Sequence, residues 1–251
     1  MLPGDPERTQ GDLNFAIFGI PVRVHPFFWL VAFLLGANRT DLPAILVWVV
    51  ALFVCILMHE LGHAVAMRAF GFRPWIVLYG MGGLTSCDPT QGRGGRRLRP
   101  AQDILISLAG PVAGFLLGAA VAGAIVLSGH GEGLVFRIGG RMGIVLGVFG
   151  LPHARLEDFI NSVFFICVFW GLINLLPIFP LDGGQIARHL FLALSPYRGY
   201  RQSLFLSLLT AALLAAVGAV VWRDWFVALL FGYMAYMSYM ALQFDSGRGE
   251  R

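Results

Sequence analysis

The chain has no lysine. All 18 of its basic residues are arginine, set against 14 acidic ones. Charge of either sign is scarce, at 13% of 251 residues, where soluble domains carry about a quarter. With 57% hydrophobic residues and a mean hydropathy of +0.74, the chain is too apolar to be disordered. It also holds more apolar surface than a fold of this length can hide inside itself. Cysteine is equally sparse. Cys55, Cys87 and Cys167 lie far apart with no CxxC spacing, which excludes a disulfide framework and a zinc ribbon. No basic stretch leads into the first apolar segment, so no cleavable signal peptide is expected. There is no internal repeat, and no folded regulatory domain is expected. In such a chain arginine marks loops and orientation rather than nucleic-acid binding. What remains is a polytopic membrane protein.

Four apolar runs are clear: 43–69, 102–128, 158–180 and 204–244. The last is too long for one helix, and Trp222-Arg223-Asp224-Trp225 divides it into a helical hairpin with tryptophan at the interface. A further stretch, 15–37, is interrupted by Pro21, Arg23, His25 and Pro26, and its clean part is too short to cross a ~30 Å core unaided. The expectation is an all-α polytopic protein of about six transmembrane helices, five firm and one doubtful. With the N-terminus inside, thirteen arginines fall on the cytoplasmic side, including those of loops 88–101 and 185–203. Five fall outside: Arg39, Arg137, Arg141, Arg155 and Arg223. Both termini are therefore expected in the cytoplasm, in a bacterial or archaeal cell membrane. Residues 71–87 read as a small membrane-associated β-hairpin turning at Gly82-Gly83, and must sit within protein or at the interface. The Gly-rich stretch 129–156 reads as an interfacial loop or short amphipathic segment. The chain divides into an N-terminal segment 1–42, a catalytic membrane core 43–190 and a C-terminal hairpin and tail 191–251.

Inside the first clear span stands His59-Glu60-Leu61-Gly62-His63. On a helix, positions i and i+4 are about 40° apart, so both imidazoles face one way and offer two ligands to a zinc ion. Glu60 lies about 100° round, beside the metal and placed to take a proton from its water. Ionisable residues within an apolar span are costly and point to function. A catalytic zinc site needs a third protein ligand. Asp182 is the best placed, in Asn174-Leu175-Leu176-Pro177-Ile178-Phe179-Pro180-Leu181-Asp182-Gly183-Gly184, where two prolines break a span and let a carboxylate turn back into the bundle. Spacing alone leaves a second reading open, in which Asp182 caps the next helix.

HELGH, then Ser107-Leu108-Ala109-Gly110-Pro111, then the Asn174–Gly184 segment, in that order over roughly 43–190, resemble the site-2 protease family of intramembrane zinc metalloproteases, in its compact form without a PDZ domain. The resemblance implies a three-helix catalytic core, one Zn2+ ion held by His59, His63 and Asp182, and Glu60 as catalytic base. It also places the Gly82-Gly83 hairpin near the substrate as a strand edge. One departure stands out: the family often carries an Asn shortly after the Gly-Pro, and none is present here. Asn174 could stabilise the oxyanion instead, or simply make a helix-packing hydrogen bond. Gly110, Gly114 and Gly118 form a small-residue stripe, read as close helix packing.

The expected activity is hydrolysis of a peptide bond in or near a transmembrane segment of a membrane-protein substrate, with the lipid bilayer as the other partner and no nucleic acid. The alternative is a non-catalytic membrane protein: an ion-binding transporter, or a degenerate protease that only binds partners. A prenyl-protein type of zinc protease is disfavoured because Glu132, Glu157 and Glu250 lie outside convincing helical motifs.

Overall fold

The computed structural model describes residues 6–80, 82–87, 99–138 and 144–246. Of the arginines expected to orient the loop 88–101, Arg93, Arg96 and Arg97 lie outside the described residues. The remainder forms two compact units. One is drawn from Met1–Arg97 and Ala109–Gly171, the other from Leu98–Leu108 and Leu172–Arg251.

The first unit opens with strands β1 (Leu13–Ile17) and β2 (Ile20–Val24), joined by a two-residue turn. Phe18 and Gly19 both have positive φ, at 51° and 75°, the geometry whose twist suits an antiparallel hairpin. Helix α1 (Pro26–Gly36) follows at once. His25 starts it: its Nδ1 accepts the Phe27 N–H at 3.1 Å, and its ring meets Tyr79 edge-on. These contacts give His25 a structural place at the start of α1. Helix α1 is about 16 Å long, so the stretch 15–37 is a hairpin plus a short helix, not a sixth span.

Helix α2 (Leu42–Ala69) is long enough to cross a membrane. Asp41 caps it by accepting the Ala44 N–H at 2.8 Å, and Gly71, at φ 89°, turns the chain away past its end. The Ala44 N–H and the Arg155 guanidinium hold the Asp41 carboxyl below its usual range. Strands β3 (Pro74–Tyr79) and β4 (Gly82–Cys87) come next. The sheet order is β1-β2-β3-β4, with β2 and β3 parallel through Val24↔Leu78. Parallel neighbours need a long crossover, and α1 with α2 supplies it. The expected hairpin of 71–87 is therefore half of a four-stranded sheet. Its buried face, Ile20, Val22, Val24, Ile76 and Leu78, packs with Ala51, Leu52, Cys55 and Ile56 of α2. Arg23, counted above among topology-setting arginines, is buried on β2 and pairs with Asp12 at 3.1 Å.

Helix α3 (Pro100–Leu127) precedes strands β5 (Leu134–Ile138) and β6 (Ile144–Val148), and α4 (Ala154–Asn174) follows. The loop or amphipathic segment expected over 129–156 is thus corrected to an antiparallel hairpin. Its runs are rich in strand-favouring residues, and near a membrane their backbone groups must pair. Asn161 of α4 clamps the hairpin: its Nδ2 donates to the Val148 carbonyl at 3.0 Å and its Oδ1 accepts the Val148 N–H at 2.7 Å.

The second unit holds α5 (Asp182–Leu194), α6 (Gly199–Val217) and α7 (Trp225–Ser246). A π-turn, Gly218–Trp222, extends α6, and Arg223 at φ 51° reverses the chain. Asp224 then accepts the N–H groups of Phe226 and Val227. This is the expected helical hairpin. Ile178, Ala211, Phe231 and Ala235 form its core. Among the described residues five helices, α2, α3, α4, α6 with its π-turn and α7, are long and apolar enough to span, as befits an integral membrane protein.

Candidate metal centre

His59, Glu60 and His63 lie two-thirds of the way along α2. All three are buried, at 4%, 6% and 7% exposure, which is rare for polar groups in an apolar helix. The helical spacing does what the sequence implies: the two imidazoles turn their Nε2 atoms to 3.1 Å from each other. Potential ligand atoms of His59, Glu60 and His63 all lie within 4.8 Å of one another.

Two glycines, Gly62 and Gly110, shape the surroundings of this cluster. A Cβ on Gly62 would overlap the Ala109 carbonyl oxygen, so Gly62 is where α2 and α3 press together. A Cβ on Gly110 would overlap the His63 imidazole and stand 2.8 Å from His59 Nε2. Gly110 therefore clears the face to which both histidines point. Gly114 and Gly118 differ, since added Cβ atoms there meet Cys167 at ordinary distances of 3.9 and 3.6 Å. The stripe read as helix packing is thus divided. Gly110 serves the site, and the tight crossing falls on Gly62, inside the HELGH motif.

Strand β4 covers the glutamate. A Cβ on Gly83 would overlap the Glu60 side chain, and one on Gly82 would stand 3.3 Å from Trp170. Thr85 Oγ1 donates to Glu60 Oε2 at 2.7 Å and lies 3.0 Å from the Glu60 main-chain oxygen. The sequence reading missed Thr85. The signal was there in the alternation of the strand, which puts residue 85 on the same face as Gly83.

Asp182 and Asn174 belong to the second unit. Asn174 is the last residue of α4 and is buried. Asp182 is the first residue of α5, and Leu181 occupies the cap position. Gly183 and Gly184 explain the turn. Cβ atoms on them would overlap the backbone of Leu175 and Leu176, and of Ile178 and Phe179. Ser207 of α6 fixes the same turn by accepting the Phe179 N–H at 3.1 Å.

Spanning helices with a buried His-Glu-His cluster, cleared on one side by a bare glycine, define a polytopic membrane protein with a candidate metal centre. The chain belongs to peptidase family M50, whose family model matches residues 47–217. It is 27% identical to Zinc metalloprotease MJ0392 of Methanocaldococcus jannaschii, over 75% of this chain and 47% of that one. It is 29% identical to Stage IV sporulation protein FB of Bacillus subtilis, over 78% of this chain and 56% of that one. The chain thus spans about half the length of these curated relatives. In fold it is similar to the solved site-2 protease from Methanocaldococcus jannaschii, with a TM-score of 0.55 and 22% identity over 92% of this chain and 95% of that one.

Proposed function

We propose that the chain is an intramembrane zinc endopeptidase cutting membrane-protein substrates in or near a transmembrane segment. One observation carries the reading: two imidazole Nε2 atoms converge to 3.1 Å inside an apolar span, with a buried glutamate beside them. Nitrogen ligands about 2.05 Å from a tetrahedral zinc ion stand roughly 3.3 Å apart, so the pair fits that ion. His59 and His63 would hold it, with Asp182 as the third ligand. Support for Asp182 is the resemblance of its motif, together with the turn that starts α5 on this residue. Bound there, one zinc ion supplies Lewis acidity that eases ionisation of water near neutral pH and polarises the scissile carbonyl.

The chain's own residues do the rest. Glu60 takes the proton of the attacking water on its carboxylate and returns it to the leaving amide nitrogen. Gly110 keeps side chains out of the space where the carbonyl must approach. Strand β4 is paired only with β3 among the described residues, so its other edge offers main-chain donors and acceptors around Gly82 and Gly83. A substrate helix must unwind before attack, and an extended segment can pair with such an edge. Asn174 is a candidate donor to the oxyanion. Five crossings put the two termini on opposite sides, and the excess of arginine in the segments that follow α2, α4 and α7 supports a cytoplasmic C-terminus alone, in place of the two cytoplasmic termini expected from six spans.

The test uses the purified chain in mixed micelles with a library of single-span transmembrane peptides, products being mapped by mass spectrometry. Cleavage is expected within or beside the apolar segment. It should stop on chelation and return with about one equivalent of zinc. Zinc retained without cleavage of any peptide would favour the non-catalytic, ion-binding alternative.

A further inference from the structure

We infer that Thr85 is a positioning residue for Glu60, tying the general base to the open edge strand. This rests on the endopeptidase reading and deepens it. Residues 83 and 85 share a face of β4, and both meet Glu60. At Gly83 the strand carries no side chain, which admits the glutamate. At Thr85 it carries a hydroxyl, which holds the glutamate by Oε2 at 2.7 Å. Thr85 Oγ1 also lies 3.0 Å from the main-chain oxygen of Glu60. One atom thus touches both ends of the residue and fixes where its side chain ends. Glutamate otherwise has three rotatable bonds, and a buried carboxylate without a donor pays a heavy desolvation cost.

The register of the strand makes this link specific. Thr85 pairs with Ile76 and Gly83 with Leu78, both on β3, and Ile76 and Leu78 are fully buried. The inner edge of β4 is therefore anchored, while its outer edge is open among the described residues. A substrate segment added to that edge would lie on the strand that also carries the hydroxyl gripping the base. Substrate and base are then positioned by one element, so that a small displacement of β4 moves both together.

Misplacing a catalytic group by about 1 Å can cost roughly a hundredfold in rate. Thr85→Val keeps the shape and strand preference and removes only the hydroxyl. It is expected to lower kcat about ten- to a hundredfold, with KM and zinc content near those of the unaltered chain, and Thr85→Ser should restore most of kcat. A second readout needs no turnover. The infrared carboxylate band that disappears in Glu60→Gln belongs to Glu60, and Thr85→Val should shift it while Thr85→Ser should not. An unshifted band, or an equal loss of kcat in the valine and serine variants, would overturn the inference. A shifted band in a chain that cleaves no peptide would instead overturn the endopeptidase reading and leave the Thr85–Glu60 link standing.

Discussion

Glu60→Gln should leave zinc bound and lower kcat/KM by about a thousandfold or more. The replacement is nearly isosteric, so the packing against Gly83 survives, and the amide oxygen still accepts from the Thr85 hydroxyl. What disappears is the ability to take a proton from water and pass it to the leaving nitrogen. Since Glu60 is not among the proposed ligands, its change should not release the metal. Zinc measured by mass spectrometry beside peptide turnover gives both halves of the result. Turnover within tenfold of the unaltered chain would remove Glu60 from the base role.

The second large effect is expected at Gly110, a position with no chemistry of its own. Alanine is the better helix former, by nearly 1 kcal/mol, so backbone propensity would favour Gly110→Ala. Sterics oppose it: the new methyl would overlap the His63 ring and crowd His59 Nε2. Either the imidazoles rotate away from each other or α3 lifts off α2 at the tight Gly62–Ala109 crossing. A disturbance of that kind just outside the ligand set commonly costs 10- to 100-fold in metal affinity. Gly114→Ala is the matched control, one turn along the same helix, where the methyl meets Cys167 at an ordinary 3.9 Å. Titration against a competing chelator should separate the two variants. Equal affinities would mean that Gly110 does not bound the site.

Much of this was legible in the sequence because membrane proteins write their rules locally. Apolar runs set the five spans, and the i, i+4 spacing of His59 and His63 sets their convergence. The Trp222–Trp225 break sets the last hairpin. Membership of peptidase family M50 agrees with the resemblance carried by HELGH and the Pro-Leu-Asp-Gly-Gly segment. Non-local pairing was not legible. The parallel pairing of β2 with β3 joins residues more than fifty positions apart, and no pattern within either strand announces it. For the same reason 15–37 read as one damaged span when it is a hairpin and a short helix. The β5–β6 hairpin was hidden by its many glycines, which read as loop. Gly110 looked like helix packing because a stripe of small residues does not say what it faces. Thr85 was passed over because a strand threonine is ordinary until its hydroxyl is seen against a buried carboxylate.

The central claim is that His59, His63 and Asp182 hold a zinc ion that works with Glu60. Zinc K-edge absorption of the purified chain, taken beside Asp182→Ala, tests it most directly. The unaltered chain should show one zinc with two imidazole nitrogens and oxygen completing the shell, at about 2.0–2.2 Å. Asp182→Ala should lose an oxygen scatterer and retain zinc poorly. A thiolate shell, or full zinc occupancy with an unchanged shell in Asp182→Ala, would contradict the account.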